Sequence, residues 1–454
     1  MKVKALVRSE EQYTKSRSGD VLKVQRNLDP ALHPMARAVE YKRAMNAVKL
    51  ERVFAKPLVG ALEGHSDGVT CIANSFYRMN QMITAAADGE IRVWDVEQQV
   101  TLRKLVGHQG AVTGVTVAKH GDACVSCGAD STVRLWRMEE ARAGEAAASR
   151  DGVAAQQAAQ VYEGKHGFRG VDHHHKLNMF VTAGPLVELW DHKRSEPINS
   201  FSWGADSATS VRFNPAEVHV FATSGTDRSI ALYDTRTGTP TRKLIMQNKT
   251  NAMCWNPQEP LNFTVANEDC NLYSYDMRKL TMATCVHEDF VSAVMDIDYA
   301  PTGREFVAGS YDRTVRIFGH AAGHSREVYH TKRMQRVSCV KFSADAGYVF
   351  SGSDDMNIRI WKAHASQQLG TMLPREKRKA AYSQALVQRY HHVPEVKRIE
   401  RHRHVPKAIV KAHKTRRTVI EAEGARQKAR VAHSKPGQIK NVPARKKKVV
   451  NVLE

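Results

Sequence analysis

Nucleophiles, acids and bases are plentiful in this 454-residue sequence, with 7 cysteines, 21 histidines and 47 acidic residues, yet their spacing matches no catalytic pattern. There is no G-x-S-x-G elbow to raise a serine over a sheet, no G-x-x-x-x-G-K-[ST] loop to cradle phosphates, no H-E-x-x-H and no G-x-G-x-x-G. Cys124-x-x-Cys127 stands without the second pair that a tetrahedral zinc site needs. His173-His174-His175, with His166 close by, has the right ligand type. Consecutive residues of an extended chain point to opposite sides, however, so a polar turn explains the triplet better than a metal. No catalytic residue, metal or cofactor is expected.

The chemistry that the sequence does concentrate is cationic. Lys397, Arg398, Arg401, Arg403, Lys407, Lys411, Lys414, Arg416 and Arg417 fall in one stretch opposed only by Glu400, and Arg445-Lys446-Lys447-Lys448 follows. Such a density of charge can track a phosphate backbone, because each phosphate neutralised releases counterions. His391, His392, His402 and His404 can stack or hydrogen-bond in looped RNA. A solvated tail or a nuclear-import signal is the plainer alternative, and Arg445–Lys448 alone would satisfy it.

These cations are set apart from the rest of the chain. The total is 68 Lys+Arg against 47 Asp+Glu, a net charge of +21. Residues 1–57 carry 13 basic against 6 acidic side chains, residues 58–361 carry 31 against 35, and residues 362–454 carry 24 against 6. A near-neutral body with two basic flanks is a folded platform with cationic arms, and its natural partner is a polyanion. No apolar run approaches the roughly 20 residues of a membrane-spanning helix, and the first twenty residues lack a signal-peptide core. Seven scattered cysteines argue for a reducing compartment, so a soluble intracellular chain without a membrane partner is expected.

Length alone would suggest about three domains, but a repeat overrides it. Ile91-Arg-Val-Trp94, Val133-Arg-Leu-Trp136, Val187-Glu-Leu-Trp190, Ile230-Ala-Leu-Tyr233, Leu272-Tyr-Ser-Tyr275, Val315-Arg-Ile-Phe318 and Ile358-Arg-Ile-Trp361 align, their aromatic ends 42, 54, 43, 42, 43 and 43 residues apart. That is the period of four-stranded propeller blades. Six residues before the aromatic stands Asp88, Asp130, Asp227, Asp269, Asp312 or Asp355, with Gly184 in the third repeat. A short carboxylate there accepts backbone N–H groups in a tight turn. His65 and His108, each after a glycine, are placed to donate to Asp88 and Asp130.

The 54-residue interval holds the alanine-rich segment 138–160, read as a mobile surface loop between the second and third blades. One further strand must close the ring, either Lys56–Leu62 or Gln367–Met372. In the C-terminal flank, 374–391 and 406–432 read as helices, each opened by proline. Tyr382, Leu386, Val387 and Tyr390 form a narrow apolar strip on the first, and Gly424 weakens the second. We therefore expect an all-β, seven-bladed propeller at 58–361, a basic extension at 1–57 and a basic helical domain at 362–454.

The repeats resemble WD repeats, with Trp94-Asp95, Trp190-Asp191, Tyr233-Asp234 and Tyr275-Asp276 at the signature position. Tyr233-Asp-Thr-Arg236 and Tyr275-Asp-Met-Arg278 are similar to the paired W-D-x-R boxes by which WD-repeat substrate receptors engage the adaptor of cullin-type ubiquitin ligases. A bond to a neighbouring turn, or plain exposure to water, would account for Arg236 and Arg278 equally. Pro374-Arg-Glu-Lys377, Lys397-Arg-Ile-Glu-Arg-His-Arg-His-Val-Pro406 and His433-Ser-Lys-Pro-Gly437 resemble the C-terminal domain of the Sof-type WD-repeat family. Asn27–Pro34 and Ala47–Pro57 are similar to its opening segment; Glu423-Gly424 and the alanine-rich insertion depart from it.

The resemblance implies a nucleolar scaffold of the small-subunit processome, without catalysis and without a small-molecule substrate. Its partners would be pre-rRNA, the box C/D small nucleolar ribonucleoprotein and other processome proteins. In animals it also implies a second role as a substrate receptor of a cullin ligase.

Overall fold

The computed structural model describes residues 29–75, 77–118, 121–138, 155–202, 207–237, 239–435, 438–439 and 442–453. They form two compact units, one from Met1–Pro57 with His364–His404 and the other from Leu58–Ala363 with Val405–Glu454.

The second unit contains a seven-bladed β-propeller. Each blade is an antiparallel sheet of at least four strands, and the third strand of each is the aromatic-ended segment of the repeat. Leu58–Leu62 closes the ring: it pairs with Ile358–Lys362, Leu62 opposite Ile358, as the outer strand of the last blade. Gln367–Met372 takes no part in it.

The repeat aspartates do what their position demands. Asp88, Asp130, Asp227, Asp269 and Asp312 each accept the N–H two residues on, at 2.9–3.1 Å, while Asp355 is gripped by Arg359. The residue after each aspartate is left-handed, with φ of 90° at Gly89 and 60–68° at Ser131, Arg228, Cys270, Arg313 and Met356. Non-glycine residues resist that conformation by about 1–2 kcal/mol, and the aspartate's bond offsets the resistance.

Cohesion between blades comes from two sources. Apolar clusters draw on successive blades, as where Leu232, Leu244 and Met246 of the fourth meet Met253, Phe263 and Tyr275 of the fifth. In six blades the innermost strand pair carries a register shift. At five of these bulges a polar side chain bonds a carbonyl of the next blade. Thr70 reaches Val112 at 2.6 Å, Thr113 Phe168 at 2.8 Å, Thr209 Thr250 at 3.5 Å and Asn251 Val294 at 2.8 Å; Ser338 reaches Val69 across the closure.

The alanine-rich insertion sits inside the second blade rather than after it. Gln160–Glu163 pairs with Thr132–Arg137 as that blade's outer strand, so the insertion joins the blade's third and fourth strands. Residues 139–154 lie outside the described residues. Ala155–Gln156, which the sequence placed in the loop, runs parallel to the outer strand of the first blade. A final strand, Val449–Leu453, adds to the outer edge of the fourth blade.

The first unit packs three helices: α1 (Ala36–Val53), α2 (Pro374–Tyr390) and α3 (Pro394–Arg401). Ala44 and Val48 of α1, Leu386 of α2 and Val396 of α3 are buried. Tyr390 Oη donates to Glu40 at 3.1 Å, Tyr41 donates to Glu395, and Ser366 Oγ donates to Glu51 at 2.8 Å. The strip Tyr382–Leu386–Val387–Tyr390 is thus the inner side of α2, with Leu386 buried and its companions half-buried.

The C-terminal stretch, expected as one block at 362–454, divides at His404–Val405. The cause is that α1 supplies the apolar partner for α2 and α3. The next helix, α4 (Lys407–Ala432), has no buried residue and belongs with the propeller. It runs unbroken through Gly424, whose missing Cβ would meet nothing within 4 Å. The short helix α5 (Ala444–Lys447) follows it.

Candidate nucleic-acid and partner interface

The strongest lock of a repeat is complete in the second blade. Trp136 Nε1 donates to Ser126 Oγ at 2.8 Å, His108 Nε2 meets the same hydroxyl at 2.8 Å, and His108 Nδ1 meets Asp130 at 2.9 Å. In the first blade the chain stops one link short. Trp94 donates to Thr84 at 2.7 Å and His65 Nε2 meets Thr84 at 2.7 Å, but His65 Nδ1 has no partner. Asp88 is bonded instead by Ser66, so the expected His65–Asp88 contact is not made. Burial holds the His65 imidazole at a pKa of about 4, and it is neutral at physiological pH. Trp190 and Trp361 keep the first link only, to Thr182 at 3.0 Å and Ser351 at 2.8 Å. These residues hold blades together and present no reactive group.

The histidine triplet is likewise a turn. His174 Nδ1 accepts the N–H groups of Lys176 and Leu177, both at 2.9 Å, so its other nitrogen carries the proton to the Val218 carbonyl at 2.7 Å. His173 faces His192 at 3.0 Å, and burial lowers it to about 4. Among the described residues no three His, Cys, Asp or Glu side chains are grouped to hold a metal ion. All seven cysteines are free.

A set of charges, Asp298 buried and the others half-buried, went unread in the sequence. Asp172, Arg212, Asp296, Asp298 and Lys341 lie on innermost strands of four blades. Their acids accept N–H groups of a following blade, Asp172 from Phe213 at 2.7 Å, Asp296 from Val340 at 2.9 Å and Asp298 from Phe342 at 2.9 Å. Arg212 stands 3.5 Å from Asp172 and Lys341 2.6 Å from Asp298. Asp296 apart, their signal was a charge next to the end of the inner strand in four repeats. The role is to staple blades, as the turn aspartates staple strands.

The candidate nucleic-acid residues are divided between the two units. Lys397, Arg398 and Arg401 are on α3 and Arg403 follows it, all in the helical unit. Lys407, Lys411, Lys414, Arg416 and Arg417 are on α4, in the propeller's unit. Residues 402–406 are not helical and separate α3 from α4. Pro406 bars the helix from continuing through His404 and Val405.

Within α4 the neighbours Arg416 and Arg417 are opposites. The Arg416 guanidinium donates to the Asp269 carbonyl at 3.0 Å, to Asn271 Oδ1 at 2.9 Å and to the Phe290 carbonyl. Arg417 is 73% exposed and pairs along its own helix with Glu421 at 2.7 Å. Lys407, Lys411 and Lys414 are exposed too. In the terminal cluster Arg445, Lys446 and Lys447 are exposed, whereas Lys448 reaches Asp269 Oδ2 at 3.6 Å.

Arg236 and Arg278 occupy matching places at the end of the third strand of the fourth and fifth blades. Each folds its guanidinium back on the aspartate of its own box, Arg236 on Asp234 at 3.1 and 3.3 Å, Arg278 on Asp276 at 3.0 and 3.3 Å. The arginines hold both carboxyls below their usual range, yet remain 67% and 68% exposed. Arg242, on the outer strand of the fourth blade, donates to the carbonyls of Met277 at 3.2 Å and Arg278 at 2.8 Å in the fifth-blade box.

Comparison with known proteins matches the C-terminal stretch as one piece, across the division at His404–Val405. The description "WD domain, G-beta repeat" matches residues 56–95, 99–137, 282–319 and 325–362, and "Sof1-like domain" matches 363–449. The unmatched repeats are the third to fifth, where Gly184 replaces the aspartate or tyrosine replaces the tryptophan. The chain is 47% identical to "DDB1- and CUL4-associated factor 13" of Xenopus laevis and 45% to that of Homo sapiens, each over the whole of both chains. It is 42% identical to "Protein SOF1" of Saccharomyces cerevisiae, over all of this chain and 95% of the other.

Proposed function

Because the chain belongs to the Sof1-like family of WD-repeat proteins, we propose that it is a non-catalytic scaffold in nucleolar assembly of the small ribosomal subunit, supporting pre-rRNA processing with the box C/D small nucleolar ribonucleoprotein. The observation that carries this reading is the seating of α4. Arg416 fastens its first half to the propeller, and Lys407, Lys411, Lys414 and Arg417 are left in water beside it. A rigid body that displays a cationic helix suits a long polyanion with little base specificity. Lys397, Arg398, Arg401 and Arg403 offer further phosphate contacts from the helical unit.

The test is binding of the full chain to a transcript of the small-subunit precursor across a salt series. Affinity is expected to fall steeply, with log K linear in log salt. A flat response, or no binding in dilute buffer, refutes the reading.

A second reading rests on Arg236 and Arg278. Two equally posed, exposed guanidiniums on successive blades offer a ligase adaptor something to grip, and the name of the animal relatives couples those proteins to DDB1 and CUL4. Replacing both by alanine is expected to abolish capture by purified adaptor while RNA binding persists. Undiminished capture removes this reading and leaves the first untouched.

A further inference from the structure

Helix α1 has two apolar sides, and only one of them is covered. Ala44 and Val48 are buried on the side packed against α2 and α3. On the other side Met35, just ahead of the helix, and Val39, Leu50 and Val53 within it are between 41% and 76% exposed. At roughly 3.6 residues per turn these four fall within about 60° of one another, with Asn46 among them and Ala44 and Val48 on the far side. Soluble proteins rarely leave a continuous apolar stripe in water unless it is a contact surface.

Charge is sorted in the same way. Both acids of α1 bond within the helical unit, Glu40 with Tyr390 Oη at 3.1 Å and Arg389 at 3.7 Å, Glu51 with Ser366 Oγ at 2.8 Å. Lys42 and Lys49 are exposed along one flank of the stripe, and Arg43, half-buried, lies on the other. The outward side of α1 is thus an apolar seam between cations, without an acid of its own helix.

The seam itself defines its occupant. It is narrow, the width of a helix-to-helix contact, whereas a helix lying on a bilayer presents a broad apolar face. Met35, Val39, Lys42, Asn46, Leu50 and Val53 succeed one another in steps of three and four, the spacing of a coiled-coil seam, over about 27 Å. One amide in such a seam fixes register and partner, and Asn46 has that place. The flanking cations require acids opposite them. Residues 1–28 of this chain carry 7 Lys+Arg against 3 Asp+Glu, and a second copy would bring the same cations, so neither is complementary.

We propose that the outward side of α1 is a docking seam for an acidic amphipathic helix of another protein. That helix lays its apolar side on Val39, Leu50 and Val53 and sets Glu or Asp against Lys42, Arg43 and Lys49. The proposal goes beyond the nucleic-acid reading and does not depend on it, nor on Arg236 and Arg278.

The probe is a synthetic helix of about three heptads, with leucine at steps of three and four and glutamate at the flanking positions. A twin carries lysine in place of glutamate, and a scrambled peptide keeps the composition of the first. Binding to the full chain is read by fluorescence anisotropy, with amide exchange of 36–53 measured alongside. The glutamate helix is expected to bind and to slow that exchange, and the other two peptides are not. Val39→Ser with Leu50→Ser, at exposed positions that the fold does not need, is expected to weaken binding about a hundredfold, roughly tenfold for each side chain. Lys42→Glu with Lys49→Glu is expected to make the lysine twin the tighter ligand.

Equal binding of the scrambled peptide, or an affinity indifferent to Val39 and Leu50, reduces the effect to general attraction by a chain of net charge +21 and overturns the proposal. Vesicles of phosphatidylcholine and phosphatidylserine are titrated in parallel. Vesicle binding that the Val39→Ser, Leu50→Ser variant loses would make the occupant a lipid surface and overturn it as well. Should that variant not fold, an unchanged ranking of the peptides in the Lys42→Glu, Lys49→Glu variant still refutes the seam.

Discussion

Arg416 and Arg417 are adjacent, identical in charge and assigned to different work by the structure, which makes them a sharp internal control. Arg416 gives three charge-assisted hydrogen bonds to the fifth blade and the loop after it. Such bonds contribute about 1.5–3 kcal/mol each when isolated, but these share one half-exposed guanidinium and two of the acceptors can be rehydrated. A loss of about 2 kcal/mol for Arg416→Gln is the reasonable figure, or roughly thirtyfold in the seating of α4. Amide exchange over 407–416 should accelerate accordingly. Arg417 holds only an exposed pair with Glu421, worth about 0.3–0.5 kcal/mol. Arg417→Gln should leave exchange unchanged and lower the slope of log K against log salt by about 0.7–0.9, one phosphate contact. Equal slope losses from the two variants with no change in exchange would show that Arg416 is free to meet phosphate, and the division of labour would be wrong.

Other consequences are open to measurement. Ser126→Ala removes the hydroxyl shared by Trp136 and His108, and chemical denaturation should report a loss of about 1–3 kcal/mol. Leu386→Ala opens the small core among α1, α2 and α3; it should destabilise the helical unit by about 2–5 kcal/mol and leave the propeller's transition in place. Burial holds His65, His173 and His287 near a pKa of about 4, against 6.5 when unfolded. The unfolded chain therefore binds more protons between those values. Stability should be full above pH 6.5 and fall as the pH drops toward 4, by up to about 1.4 kcal/mol per unit for each group; a flat melting temperature across that window would contradict it.

Periodicity was legible because every repeat must solve one local problem. A strand covered on both faces ends in an aromatic, and a tight turn needs an acceptor six residues earlier, so Asp130, Asp227 and Asp312 could be placed without any tertiary knowledge. The same logic misjudged His65, since its reach depends on whether Ser66 claims Asp88 first. It also put the alanine-rich insertion between blades, because the outer strand Gln160–Glu163 is only four residues long and its Tyr162 lacks the repeat's spacing. Helix α3 was missed because eight residues hold a single i, i+3 apolar pair, Val396 and Ile399, too short a run to read, and its partner α1 lies more than 300 positions away. Val449–Leu453 was invisible for a similar reason, since an edge strand is defined by the edge it joins.

What the amino-acid order alone determined is the ring and the separation of charge, because both follow from residue types counted along the chain. Which cations are available to a polyanion was decided only by folding. Arg416 and Lys448 are spent on Asp269, and Arg417, one residue away, faces water. Hydrogen bonds depend on distances of about 3 Å between groups that sequence leaves far apart, so charge can be tallied from the chain but its use can be read only from contacts.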